Sequence, residues 1–329
     1  MKTLSDNTRS DRFGVARTHS AFDLYAAELR RRDILVMLVG SQQTGWHIAR
    51  CAFDGMTLQL EREGARNVWI GVMPDDMVGF RLQKSAGSEP ARANGRAVAQ
   101  GDIVLLPPGA CFILSSGGAS EWISVFLKLG GSRTSGAPVF GSANVPLGGD
   151  VSIVSTTPVG VARFVDLASR VRESADEAEG SRRSSVAELK RSLIDMLAAA
   201  MAARGHEPSR LTDRRSAGSK QIALHALAFL RVRGKVYPTV QSLCEAIGTT
   251  ERTLRRAFHV FFAMAPANFL KVYRLNQVRR TMLSEASVSL TVARLLASCS
   301  VSEFGRFAGE YRALFGELPS QTRKKNFSR

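Results

Sequence analysis

One stretch narrows the possible folds of this chain more than any other: Ser-Leu-Cys-Glu-Ala-Ile-Gly-Thr-Thr-Glu-Arg-Thr-Leu-Arg-Arg-Ala-Phe, residues 242–258. Gly248 can close a preceding helix in the left-handed conformation, and Thr249 or Thr250 can cap the next one. Leu254, Ala257, Phe258 and Phe261 then recur at helical spacing and predict one stripe that faces a core. Arg252, Arg255 and Arg256 are left on the opposite side. An outward basic face is usually no more than a solvated surface, so the neighbouring sequence must decide its meaning.

Charge is the first neighbour to consult. The 329-residue chain has a formal net charge of +16, and residues 217–329 hold 18 Lys/Arg against 6 acidic residues, none of them Asp. Most of the excess therefore sits in the last third, as expected of a region that meets a polyanion. A lipid-binding tail would need a Lys-rich run or an unburied apolar face, and neither is evident. The four cysteines, Cys51, Cys111, Cys244 and Cys299, lack the paired spacing of a zinc or redox site and read as reduced thiols. The polar start, MKTLSDNTRSDR, is unlike a signal peptide, and the longest apolar run, Ile34 to Val39, is far too short to span a bilayer. A cytoplasmic protein is expected.

The texture changes along the chain. Residues 1–20 read as a disordered N-terminus. Short β-branched segments follow at Ala49–Phe53, Met56–Leu60, Val68–Met73, Gly79–Gln83, Ile103–Leu106, Cys111–Leu114 and Trp122–Leu129, separated by Gly, Asp, Asn and Pro turns. Regular short strands predict a β-sandwich or barrel. Residues 130–150 read as a long loop. Helices are predicted over Val159–Glu173 and Ser185–Ala203. The latter carries a stripe of Val186, Leu189, Leu193, Met196, Leu197 and Ala200, which suits packing within its own domain or a dimer contact. The polar run 205–219 reads as an interdomain linker. From Lys220 to about Phe315 the pattern is helical: 220–232, 240–247, 250–262, then Pro266 opening a long helix to about Leu283, then 289–297 and 302–315.

A short helix, a tight turn and a second helix with outward cations is a helix-turn-helix, which lays its second helix in the major groove. Arginine suits that position because its planar fork donates two hydrogen bonds to guanine O6 and N7 or clamps a phosphate. The pairing occurs twice, and successive major grooves on one face lie about 34 Å apart, so the long Pro266–Leu283 helix reads as a spacer.

Residues from about Lys220 to Arg323 resemble the DNA-binding domain of the AraC/XylS transcriptional regulators. SLCEAIGTTERTLRRAF, MAPANFLKVYRLNQVRRTML and SVSEFGRFAGEYRALFGELPSQTR carry the resemblance, in order and with the right spacing. It implies that Arg252, Arg255 and Arg256 meet bases, with Thr253 and His259 nearer the backbone and Thr250 at the helix start. The second unit departs from the pattern. Ser300-Val301 replaces a usual Gly-Phe pair, so a serine meets a left-handed turn that favours glycine. Gly309 stands where many relatives carry Arg, and Ala263 where a Gly is common. The outward candidates here are Ser302, Glu303 and Arg306. Glu303 could accept from cytosine N4 but repels phosphate, so weaker contact is expected from this unit.

In the N-terminal half, Gly101-Asp-Ile-Val-Leu-Leu-Pro-Pro-Gly109 resembles the strand-turn element of cupin barrels. Phe112 stands where metal-binding cupins place a His. His19, His47, His206, His225 and His259 share no ligand spacing, so neither metal nor other cofactor is expected. Trp46, Trp69 and Trp122 read as core residues. The resulting expectation is an α+β, multidomain chain: a cupin-like sensor and dimerisation domain at 21–204, a linker at 205–219, and a two-unit DNA-binding domain at 220–325. The resemblance implies double-stranded DNA and RNA polymerase as partners, with a homodimer and a small-molecule effector. Three rivals stand beside it. A cupin oxygenase or isomerase with a helical tail lacks ligands, and a DNA-repair methyltransferase lacks a cysteine cluster. A protein-interaction module with a degraded DNA-binding half is motivated by Ser300, Val301 and Gly309.

Overall fold

The structure is a computed structural model and describes residues 15–19, 22–30, 34–42, 44–53, 55–129, 139–140, 145–146, 149–173, 179–203, 210–233, 237–284 and 290–327. The N-terminal half opens with β1 (Val15–His19), α1 (Phe22–Arg30), β2 (Leu35–Leu38), β3 (Trp46–Phe53), β4 (Met56–Glu63) and β5 (Asn67–Val72). It continues with β6 (Met77–Ser85), β7 (Ala91–Ala93), β8 (Arg96–Val98), β9 (Ile103–Leu106), β10 (Cys111–Ser115) and β11 (Ser120–Lys128). β12 (Val139–Phe140), β13 (Val145–Pro146) and β14 (Ser152–Val154) complete the strands. Two antiparallel sheets result, one in the order β1-β3-β4-β11-β6-β9-β14 and the other β2-β5-β10-β7-β8, with β12 and β13 paired separately. All seven expected strands are present. β1, β2, β7, β8 and β14 were not singled out, because most are three to five residues long and carry too little pattern to read.

Alternation along β4, β6 and β11 sets up two buried faces rather than one. Leu58, Phe80, Leu82, Ile123 and Val125 lie under α2 (Pro158–Glu173) and α3 (Glu179–Ala203). Val186, Leu189, Leu193 and Met196 of α3 join that cluster, so the stripe packs within its own half; the side chains of Leu197 and Ala200 lie outside the described residues. The opposite strand face is polar yet equally buried. Arg81 sits with its guanidinium 4.0 Å from the Trp69 ring centre and 4.6 Å from that of Trp122, and it bonds Glu61 at 2.7 Å and Glu63 at 3.1 Å. Burial raises the Glu61 carboxyl above its ordinary range, and Arg81 opposes that rise. At the β9–β10 turn Gly109 has φ +69, a left-handed conformation that favours glycine.

The C-terminal half is helical: α4 (Arg210–Arg233), α5 (Val240–Ile247), α6 (Glu251–Phe262), α7 (Pro266–Leu283), α8 (Val292–Ser298), α9 (Phe304–Phe315) and α10 (Pro319–Phe327). A sheet-rich N-terminal region followed by a helical C-terminal one matches the expected fold class. Several local expectations need correction. Ten residues of the expected linker, 210–219, form the start of α4, which begins well before Lys220; residues 205–209 lie outside the described residues. Residues 15–19, expected to be disordered, pair with β3 as β1, because a strand edge satisfies their backbone groups; 1–14 and 20 lie outside the described residues. Within the expected loop 130–150, β12 and β13 form a short ladder, and most of the remainder is likewise outside the described residues. A further helix, α10, follows Pro319, whose missing N–H is harmless at a helix start.

The two halves share cores. Met37, Val68, Ile70 and Ile113 on the outer face of the smaller sheet form one cluster with Phe258, Phe261, Leu270 and Tyr273 of α6 and α7. Burying a side chain of this size is worth roughly 1.5–3 kcal/mol, so this contact does much to hold the two halves together.

Candidate nucleic-acid interface

The first helix pair is shaped by its caps. Thr239 caps α5 by accepting from the Ser242 N–H at 3.1 Å. Gly248 ends it at φ 65, ψ 41, with its N–H directed to the carbonyls of Cys244 and Glu245. Two residues on, Thr250 caps α6 by accepting from the Thr253 N–H at 3.3 Å, and the two hydroxyls meet at 2.8 Å. Leu254, Ala257, Phe258, Phe261 and Phe262 are buried. Arg252, Arg255, Arg256 and His259, at spacings of three, four and seven, are exposed, as are Thr250 and Thr253. The Arg255 guanidinium donates to Glu251 at 2.7 Å one turn back, an exposed pair that holds the side chain along the helix.

α7 leads to the second pair. Its 18 residues span about 27 Å at 1.5 Å per residue, close to the separation of successive major grooves. Thr291 caps α8, but α9 starts at Glu303 without a side-chain cap bond. Ser300 stands in the turn at φ 54 and Val301 is buried behind it. Thus the serine occupies a left-handed position, and Ala263 does the same at φ 53 after α6, each at a steric cost that glycine would avoid. Ser302, Glu303 and Arg306 are exposed and come together, but Arg306 is turned toward Glu303 at 3.5 Å and Glu310 at 3.4 Å. Between the two pairs runs a groove of about 620 Å³ whose lining includes Thr239, Asn268, Lys271, Arg274, Glu303 and Arg306.

Comparison with known proteins agrees with this geometry. Residues 243–325 match the family model described as a helix-turn-helix domain. The chain is also 28% identical over 96 residues to the "Probable thc operon regulatory protein" of Rhodococcus erythropolis, covering 29% of this chain and 29% of that protein. The C-terminal segment is an AraC-type helix-turn-helix domain. Two solved structures are similar at low TM-scores. One is a transcriptional regulator with an AraC-type DNA-binding domain from Chromobacterium violaceum (TM-score 0.30, 21% identity, 33% of this chain and 96% of that one). The other is ToxT from Vibrio cholerae (TM-score 0.29, 9% identity, 83% of this chain and 98% of that one).

The AraC-type domain has features that sequence reading did not single out. Lys271, Asn268 and Arg274 lie on the spacer helix, whose place between the two helix pairs marked it only as a connector. Arg274 has its guanidinium 5.7 Å from the Phe307 ring centre and 6.0 Å from that of Tyr237, which lays the stem across the groove. The domain is also tied to the N-terminal half at two points of α7. Asn276 accepts from the Leu38 N–H at 3.0 Å and donates to the Leu38 carbonyl at 2.8 Å, pairing with edge strand β2 as another strand would. Arg279 grips Asp23 of α1 in a fork (2.7 and 2.9 Å) and also donates to Glu317 at 2.9 Å, Tyr311 at 3.0 Å and Thr322 at 3.2 Å. Burial works against the charge on Arg279, but the Asp23 hydrogen bonds and the surrounding acids outweigh it and raise its pKa above the ordinary arginine value. Among the described residues no group of three or more His, Cys, Asp or Glu could hold a metal, and no helix is long and apolar enough to cross a membrane.

Proposed function

We propose that this protein is a sequence-specific DNA-binding regulator of transcription. The single observation that carries the reading is the exposed cation face of α6 standing within an AraC-type two-unit scaffold. In this reading α6 enters the major groove and Arg252, Arg255 and Arg256 meet base edges or phosphates, with Thr250, Thr253 and His259 beside the backbone. The groove between the units, with Lys271 and Arg274, takes the intervening phosphates. Ser302, Glu303 and Arg306 give the second unit a weaker polar readout, since Arg306 already has carboxylate partners.

Residues 21–204 act in this proposal as the sensor and dimerisation domain, and 220–325 as the DNA-binding domain. A small-molecule effector would act where buried polar groups remain unpartnered between the sheets, at Trp69 Nε1 and Asn67 Oδ1. The free space there is only about 10 Å³, room for one water, so binding would require the sheets to part. Any such movement reaches the DNA-binding domain through Asn276 and Arg279 on α7. A homodimer, contact with RNA polymerase and a cytoplasmic setting complete the proposal.

The test is selection of bound sequences from a random duplex pool, followed by titration of the selected site. Arg255→Ala should weaken binding and broaden base preference at one position, with affinity falling steeply as salt is added. Unchanged affinity and footprint after substitution of Arg252, Arg255 and Arg256 together would refute the assignment.

A further inference from the structure

We propose that Phe304 reads the 5-methyl group of a thymine, so that the second unit recognises DNA by apolar contact where the first uses arginine forks. The inference rests on α9 being a groove-entering helix. Phe304 is the first residue of α9, and the N-terminal residues of the second helix in such a unit are the ones that reach base edges.

Its exposure is unusual. Phe304 is 43% exposed, whereas Phe307 and Tyr311 of the same helix are 1% and 0%. Among the described residues it is the one aromatic that ranks with the exposed large apolar side chains, the others being Val72, Val159 and Val232. An exposed phenyl ring at a helix start keeps an apolar surface in water until something covers it.

The surroundings favour close approach by a duplex. Ala308 follows at a spacing of four, which places only a small side chain beside Phe304 on the helix surface. A Cβ added at Gly305 or Gly309 would meet nothing within 4 Å, so the adjoining flank of the helix is open and bare of side chains at both positions. The cation nearest the ring in sequence is already flanked by carboxylates. Arg306 faces Glu303 and Glu310, and Glu303 disfavours phosphate. The major groove offers one prominent apolar mark, the thymine methyl, and phenylalanine is among the side chains that contact it.

The experiment begins with a site selected by the wild-type protein. Each thymine in the half of the site contacted by the second unit is replaced in turn by deoxyuridine, which removes the methyl and nothing else. One replacement should weaken wild-type binding about fourfold, the equivalent of one buried methyl-sized group. Phe304→Ala should lose about the same affinity on the thymine site and become indifferent to that replacement, while Phe304→Leu keeps part of the sensitivity. Circular dichroism checks that each variant is folded. Wild-type binding indifferent to every replacement overturns the inference while leaving arginine-based recognition intact. Unaltered DNA binding by Phe304→Ala together with lost transcriptional output also overturns it and assigns the ring to a protein partner. A wild type that selects no sequence removes the DNA-binding reading itself, and this inference with it.

Discussion

The two helix-turn-helix units share a topology and differ in nearly every physical detail. The first turns at Gly248, is capped by a threonine and projects three arginines. The second turns at Ser300, lacks a cap bond at Glu303 and sets Arg306, near the start of α9, between two carboxylates. They are also anchored differently. The first shares an apolar cluster with the outer face of the smaller sheet. The second shares another apolar cluster, in which Phe307, Tyr311 and Leu314 join Phe22 and Tyr25 of α1, and adds an ionic knot in which Arg279 links Asp23 to Glu317. The fork-shaped ion pair adds a fixed geometry that the first anchor lacks. Each unit is thus coupled to a different part of the N-terminal half, the first to the smaller sheet and the second to α1.

The largest effect should come from breaking the anchors. Arg279→Met removes the cation that Asp23 and Glu317 share in a largely buried site and should cost about 3–5 kcal/mol of stability by denaturant titration. Phe258→Ala, in the other anchor, should cost a similar amount through its cavity. If Arg279→Met left stability unchanged, the ionic anchor would be decorative and the contrast would collapse.

DNA contact comes next in size. Arg255→Ala should lose roughly 1–3 kcal/mol of binding free energy, as one bidentate base contact does. Arg306→Ala should lose less than about a third of that, because two carboxylates flank its guanidinium where Arg255 has one, and they repel the phosphates it would approach. Equal losses in a mobility-shift titration would erase the difference between the units.

The turns provide a test of opposite sign. Gly248→Ala should destabilise and Ser300→Gly should stabilise, each by about 1 kcal/mol, because a Cβ is penalised in the left-handed region. Thermal unfolding of the two variants reads both.

The subtlest prediction concerns alkaline pH. Burial raises the phenols of Tyr25, Tyr237 and Tyr273 above their ordinary value, and pushes that of Tyr311 up to about 12. A raised acid keeps its proton longer in the folded state than in the unfolded one. Its contribution to stability is therefore complete below about pH 10 and is lost as pH climbs from there toward 12. Tyr311→Phe should lose stability less steeply than wild type over that window, and native phenolate absorbance should lag behind that of the unfolded chain.

Much of the C-terminal domain could be read directly because its signals are local. Gly248, Thr250 and Pro266 act within a few residues of themselves, and the 3.6-residue stripe of α6 shows which side is outward. The strained turn at Ser300 was legible for the same reason. Phe304 was not, since a phenylalanine in an amphipathic helix is ordinarily a core residue and its exposure depends on what packs nearby.

Local order along the chain was enough to establish where helices and strands form, which turns suit glycine, and where positive charge gathers. It could not say that the polar face of β4 and β6 lies inside, because alternation distinguishes two faces without telling which one meets water. Nor could it join Asp23 to Arg279, or Leu38 to Asn276, across more than 230 residues. Those pairings exist because folding brings distant backbone and charge together at one helix, and the free energy of such contacts has no trace in neighbouring residues.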